Sequence, residues 1–153
     1  MRHWLFKSEP SCFSIDDLSR RPKQTAPWDG VRNYQVRNML RDEVKPGDLV
    51  FFYHSSCTPP GIAGIATVVK ASYPDSTSWD LNSDHFDPQS TPENPRWYMV
   101  DVRLVKKFPH FVTLDEIKHH HKLKEMLILR KGNRLSITPV TIDEWRVIEK
   151  LGG

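Results

Sequence analysis

Two short stretches of this sequence concentrate side chains that could do chemistry. "KSEP", Lys7 to Pro10, sets an ammonium, a hydroxyl and a carboxylate directly after an apolar run. By the period of two that a strand imposes, Lys7 and Glu9 fall on the same side. They form either an ion pair at a strand end, worth little when exposed, or the polar floor of a pocket with Ser8 between them. "PWDGVRNYQVRN", Pro27 to Asn38, gathers one indole, two guanidinium groups and three side-chain amides around a single turn. Trp28 is there either as a core side chain or as a plate for a flat ligand, since stacking an unstacked base on an aromatic face contributes about 1–3 kcal/mol. Gly30 permits a positive φ or a close backbone approach, and Val31 follows it into the turn. Arg32 and Asn33 suit a helix cap, and equally a phosphate and a base edge held at the helix N-terminus. Arg37, Arg41 and Lys45 beyond them read as solvated helix charges or as a track for a phosphate backbone.

Other constellations carry less. In "FYHSS", Tyr53, His54 and Ser55 sit at a strand end, but adjacent strand residues point to opposite faces, which argues against a His–Ser catalytic pair. Consecutive histidines on a helix lie about 100° apart, so His119, His120 and His121 cannot converge on one metal. Cys12 and Cys57 form no CxxC pair; they read as free thiols in a reducing, cytoplasmic compartment. No phosphate loop, dinucleotide fingerprint or carboxylate cluster is present, and neither a cofactor nor a metal is expected.

The elements that must position these groups follow from patterning. Alternation in "HWLFK" predicts a first strand over 3–7. Ser14 with Asp17, Thr113 with Glu116 and Thr141 with Glu144 are capping-box spacings, each opening a helix. A further helix is expected from Asn33, with Val36, Met39 and Leu40 on its apolar face. "LVFFYH" (49–54) and "GIAGIATVVK" (61–70) are apolar on both faces and predict buried strands. "RWYMVDVRLVKKF" predicts a long strand, and "NRLSITPV" a last one. Pro22 and Pro27 suggest loop up to Trp28. The segment between Ser72 and Pro95 is long and rich in Pro, Asp, Ser and Asn, the kind of loop that is usually functional or mobile in a compact domain, and it carries Trp79. Interleaved strands and short helices, with too few crossover helices for a parallel sheet, predict an α+β domain around a curved, barrel-like sheet.

At 153 residues the chain fits one domain, expected over 1–153. It is 27% charged with a formal net charge of +3, a balance that permits an anionic partner without demanding one. No run of 18 apolar residues exists, so no membrane span is expected, and the N-terminus lacks a secretory pattern.

The blocks "HWLFKSEP", "WDGVRNYQVRN", "GDLVFFYHS", "PGIAGIATVVKASYPD", "NPRWYMVDV", "TLDEI" and "RLSITPVTIDEW" resemble, in order and over essentially the whole chain, those of the EVE domain, a member of the PUA-like superfamily with the YTH and ASCH domains. The resemblance implies a PUA-like mixed sheet or pseudo-barrel of about five to six strands flanked by short helices. It implies a cleft that reads a modified base in nucleic acid, DNA or RNA, or in a nucleotide. By analogy with the aromatic cage of YTH domains, Trp28 takes the stacking role, with Trp79 a second candidate. Base-edge hydrogen bonds would come from Ser8, Asn33 or Ser55, and phosphate contacts from Arg32, Arg37 and Arg41. Some ASCH-type relatives instead act as small amidohydrolases on modified nucleosides, and Lys7, Glu9 and Ser8 or Ser55 supply the residue types that reaction needs.

Overall fold

Alternation along two central strands explains how the molecule is layered. The computed structural model describes residues 1–153. Its strands are β1 (His3–Ser8), β2 (Thr25–Pro27), β3 (Leu49–His54), β4 (Gly61–Pro74), β5 (Tyr98–Thr113) and β6 (Ile137–Pro139). Its helices are α1 (Ile15–Arg20), α2 (Tyr34–Asp42), α3 (Leu114–His119) and α4 (Ile142–Gly152). Trp4 and Phe6 of β1 and Val50 and Phe52 of β3 bury into one core; Leu5, Phe51 and Tyr53 bury into another on the opposite face. The first core is covered by α1, α2 and the Trp28 turn, the second by α3 and α4, which contribute Ile117, Trp145 and Ile148.

The sheet order is β2-β5-β4-β3-β1-β6. β1 runs parallel to β3, and every other pairing is antiparallel. The parallel pair needs a crossover, which α1, β2 and α2 provide. Irregularities along β4 and β5 bend the sheet, as extra residues in a ladder do, yet β2 and β6 remain as unjoined edges. The arrangement is a mixed α+β sheet, curved but open rather than closed into a barrel.

Most expected elements are present, although β5 starts at Tyr98 rather than Arg96 and β6 is confined to Ile137–Pro139 within 133–140. The side chains of Ser14, Asn33, Thr113 and Thr141 accept backbone N–H groups at the four helix N-termini, and the three capping boxes are complete. One expectation is corrected: Thr25–Pro27 is not loop but a short edge strand paired with β5. Proline is tolerated at its end because an edge strand leaves one row of donors unpaired. Strands β4 and β5 also run further than their apolar runs suggested, to Pro74 and Thr113.

Candidate functional site

Beyond the C-terminal end of β1 the chain turns away at Pro10, and β2 leads into the Trp28 turn nearby. Between them lies a cleft of about 440 Å³, lined by Lys7, Ser8 and Glu9, by Cys12 and Phe13 before α1, and by Arg21 after it. Pro27, Trp28, Asp29 and Gly30 form another wall, and His85 reaches in from the long loop. That volume lies within the range of small-ligand sites. Trp28 is a wall and a core residue at once. It is only 7% exposed and packs on Phe6 and Phe52, each at 5.3 Å between ring centroids, and on Phe13 at 6.4 Å. The cleft therefore meets a fixed aromatic surface backed by three further rings.

The turn that presents Trp28 is held by a buried carboxylate. Asp75, fully buried, accepts the Gly30 N–H through Oδ2 at 2.9 Å and the Arg32 Nη1 at 3.3 Å. Its Oδ1 accepts the Thr77 N–H at 2.9 Å and the Thr77 hydroxyl at 2.5 Å. Arg32 also donates through Nε to the His85 carbonyl at 3.0 Å, so the same guanidinium ties the long loop to the turn. Gly30 has φ +80°, and a Cβ there would come within 2.7 Å of the His85 ring. A side chain at position 30 is thus opposed twice, by backbone conformation and by the imidazole.

The sequence-derived candidates divide by this geometry. Lys7, Ser8, Glu9, Trp28 and Gly30 meet in the cleft. Ser8 donates its hydroxyl to the Phe13 carbonyl at 2.6 Å, which fixes the loop rather than leaving the proton free. Val31 is buried in the core. Asn33 uses its side-chain oxygen to cap α2, accepting the Val36 N–H at 3.1 Å, and Arg32 is engaged as described. Tyr53 follows Phe52 along β3 and so turns to the opposite core, away from the cleft. His54 accepts the Ile15 N–H at the start of α1 at 3.2 Å, and Ser55 donates its backbone N–H to the Ser8 carbonyl; neither lines the cleft. Trp79 closes a short helical turn, Ser76–Trp79, half-buried and outside the cleft wall. Arg37 bonds Asn38 and the Arg96 carbonyl, and Arg41 pairs with Asp42, so both intended backbone cations already have partners. Sequence reasoning missed Phe13, Arg21, Asp29, His85 and Asp75. Asp29 and Phe13 sat beside flagged motifs and Arg21 directly follows α1, whereas Asp75 and His85 reach the site through pairings distant in sequence.

Charge in the cleft is balanced and tuned by burial. Burial pushes the Lys7 ammonium below its ordinary range. Burial raises the Asp29 carboxyl, and the neighbouring Asp75 raises it further. Two cations, Lys7 and Arg21, face two carboxylates, Glu9 and Asp29, so the slot offers hydrogen-bonding groups of both signs around an aromatic wall. No three His, Cys, Asp or Glu side chains cluster in a way that could hold a metal ion. No helix is long and apolar enough to cross a membrane.

Comparison with known proteins matches residues 2–151 to the EVE domain family model. Human thymocyte nuclear protein 1 is 46% identical, over 97% of this chain and 73% of its own length. The structure of human THYN1 protein in complex with 5-methylcytosine containing DNA superposes with a TM-score of 0.93 at 45% identity, covering 99% of this chain and 98% of the other. A structure from Pseudomonas putida superposes with a TM-score of 0.92 at 47% identity, covering 99% of each chain.

Proposed function

Because the chain belongs to the EVE domain family, we propose that it is a nucleic-acid-binding module that takes a modified base, of the 5-methylcytosine kind, into the cleft beside Trp28. The observation that carries this reading is the match, over 99% of the chain at a TM-score of 0.93, to a relative bound to 5-methylcytosine containing DNA. The cleft supports it: a base edge needs donors and acceptors together, and Lys7, Arg21, Glu9 and Asp29 supply both around an aromatic surface. The base would lie against the exposed border of Trp28, because the remainder of the indole is committed to Phe6, Phe13 and Phe52.

The selective gain from one methyl group is modest. Burying a CH₂-sized group contributes about 0.8 kcal/mol, which corresponds to a preference of roughly four-fold. Fluorescence anisotropy with oligonucleotides that differ only in the modified base measures it. Wild type is expected to favour the methylated strand at least to that extent, and Trp28→Phe, which keeps an aromatic core but shortens the wall, to lose the preference. Equal affinity of wild type for both strands, across cytosine and adenine modifications, overturns the reading.

One observation favours a second, enzymatic reading: the desolvated Lys7 ammonium shares the cleft with Glu9. A lysine with a depressed pKa can act as a base or nucleophile on an acylated nucleoside. The Ser8 hydroxyl is committed to the Phe13 carbonyl, which leaves such a reaction without an obvious hydroxyl partner. Turnover of acylated nucleosides that disappears in Lys7→Met supports this reading, and its absence across a broad panel removes it.

A further inference from the structure

A second cavity, of about 620 Å³, lies where the edge strand β6 meets α2 and the segment that follows the short helical turn Leu127–Leu129. Its wall carries Arg130, Lys131 and Arg134 and no carboxylate. None of the three makes a salt bridge or donates a side-chain hydrogen bond, in contrast to Arg32, Arg37 and Arg41. The loop that carries them is nonetheless built. Asn133 donates through Nδ2 to the Leu127 carbonyl at 2.7 Å and accepts the Leu135 N–H at 3.0 Å, pinning the segment from within.

A second observation points to a ligand. Thr138 belongs to the same wall, is 1% exposed, and its Oγ1 is the only buried side-chain oxygen or nitrogen in the molecule without a hydrogen-bond partner. Leaving such a group unpaired is costly, which marks this stretch of β6 as polar ground beside the cations. Three unpaired cations on one wall, with no carboxylate among them, match a phosphate group, which brings negative charge and several acceptor oxygens.

Pairing of β6 with β1 ties the cavity to the strand that ends in the base cleft. The Lys7 N–H donates to the Ser136 carbonyl, and Thr138 is the register partner of Leu5, two residues before Lys7. Charge is sorted between the two places: cations and carboxylates balance in the cleft, and cations stand alone in the groove. We propose that the groove between α2 and β6 holds backbone phosphates of the strand whose modified base occupies the cleft, with Arg130, Lys131 and Arg134 as the contacts. The pairing of groove with cleft rests on the function proposed above; the cationic character of the groove does not.

The test is the salt dependence of oligonucleotide binding by wild type and by the double variant Arg130→Ala/Arg134→Ala, whose exposed positions should leave the melting temperature unchanged. Losing two phosphate contacts should lower the slope of log affinity against log salt by about 1.4 to 1.8. Methylated and unmethylated strands should weaken in parallel, with their ratio preserved. An unchanged slope in a folded double variant overturns the proposal. A mononucleotide carrying the modified base, too short to reach the groove, should bind wild type and variant alike; if it weakens as much as the oligonucleotide, the groove holds the nucleotide itself and the strand path is wrong. A wild type without base preference, but with the slope still falling in the double variant, removes the cleft reading and leaves the groove as a phosphate site.

Discussion

Single side chains carry two separable duties in this molecule, and Asp75 carries the first. Its carboxylate is fully buried yet satisfied four times over, by Gly30, Arg32 and both donors of Thr77. Asp75→Ala would leave the Gly30 and Thr77 N–H groups and the Arg32 guanidinium without that acceptor. Removing one partner of a buried ion pair costs about 3 to 5 kcal/mol, a large share of a domain's 5–15. We expect chemical denaturation of Asp75→Ala to show a loss of that size, and ligand affinity to fall with it because the Trp28 turn loosens. His54 carries the second duty, as acceptor for the first N–H of α1. An imidazole nitrogen accepts only when unprotonated, and burial lowers its pKa, with Asp16 partly opposing and Lys107 reinforcing. The unfolded chain then binds a proton more readily than the folded one between the lowered pKa and about 6.5. Stability is therefore present above that window and declines as pH falls through it. His54→Gln keeps an acceptor and removes the titration, so wild type should lose more stability between pH 7 and pH 5 than the variant does. Parallel losses in urea titrations at the two pH values would show that His54 is not the group responsible.

At the scale of elements, the helices are set by their ends and the cleft by a turn. Thr141 accepts the Glu144 N–H at 3.2 Å, and Glu144 in return accepts the Thr141 N–H at 3.0 Å. Thr141→Ala breaks that reciprocal cap and should cost about 1 kcal/mol, readable as a lower midpoint in thermal denaturation with ligand binding unchanged. Gly30→Ala should do the reverse. It strains the turn at φ +80° and drives a methyl into the His85 ring, so binding should fall more than stability; His85→Ala on that background should restore part of it. These contrasts track what was legible in the sequence. Capping pairs are three residues apart and governed by local hydrogen bonding, so all three boxes and the Asn33 cap could be read directly. Lys7, Ser8, Glu9, Trp28 and Gly30 could be placed near one another because their motifs flank a strand end and a turn. Asp75 and His85 could not, because they meet Gly30 and Arg32 across 43 to 53 residues of separation from inside an irregular loop. Tyr53 was grouped with the site from its motif although strand alternation from Phe52 already turned it to the other face. The β2 strand escaped notice because three residues ending in proline carry no periodicity, and only pairing with β5 makes them a strand.

For the molecule as a whole, the decisive feature is that the cleft lies at the end of a sheet whose two faces are both covered. The cleft is bounded by the β1 exit, the segments flanking α1 and the Trp28 turn, and its aromatic wall is locked into the core by Phe6, Phe13 and Phe52. A slot of about 440 Å³ with fixed walls can take a base only after that base has left its stack. Extruding a paired base costs a few kcal/mol, and the cost is smallest when the base is mismatched or already single-stranded. On the proposed reading, affinity should therefore rank by how readily the modified base is released. A strand in which it faces an abasic position should bind at least ten-fold more tightly than the fully paired duplex, since about 1.4 kcal/mol of avoided unpairing suffices for that factor. The groove predicts a different response to the same substrates, because phosphates are equally available in paired and unpaired forms. Arg130→Ala/Arg134→Ala should weaken both forms by the same factor and preserve the ratio between them, whereas Trp28→Phe should compress the ratio. Competition titrations of the two substrates against the three proteins separate these effects, and a ratio near one in wild type would mean that the base is read without leaving the helix.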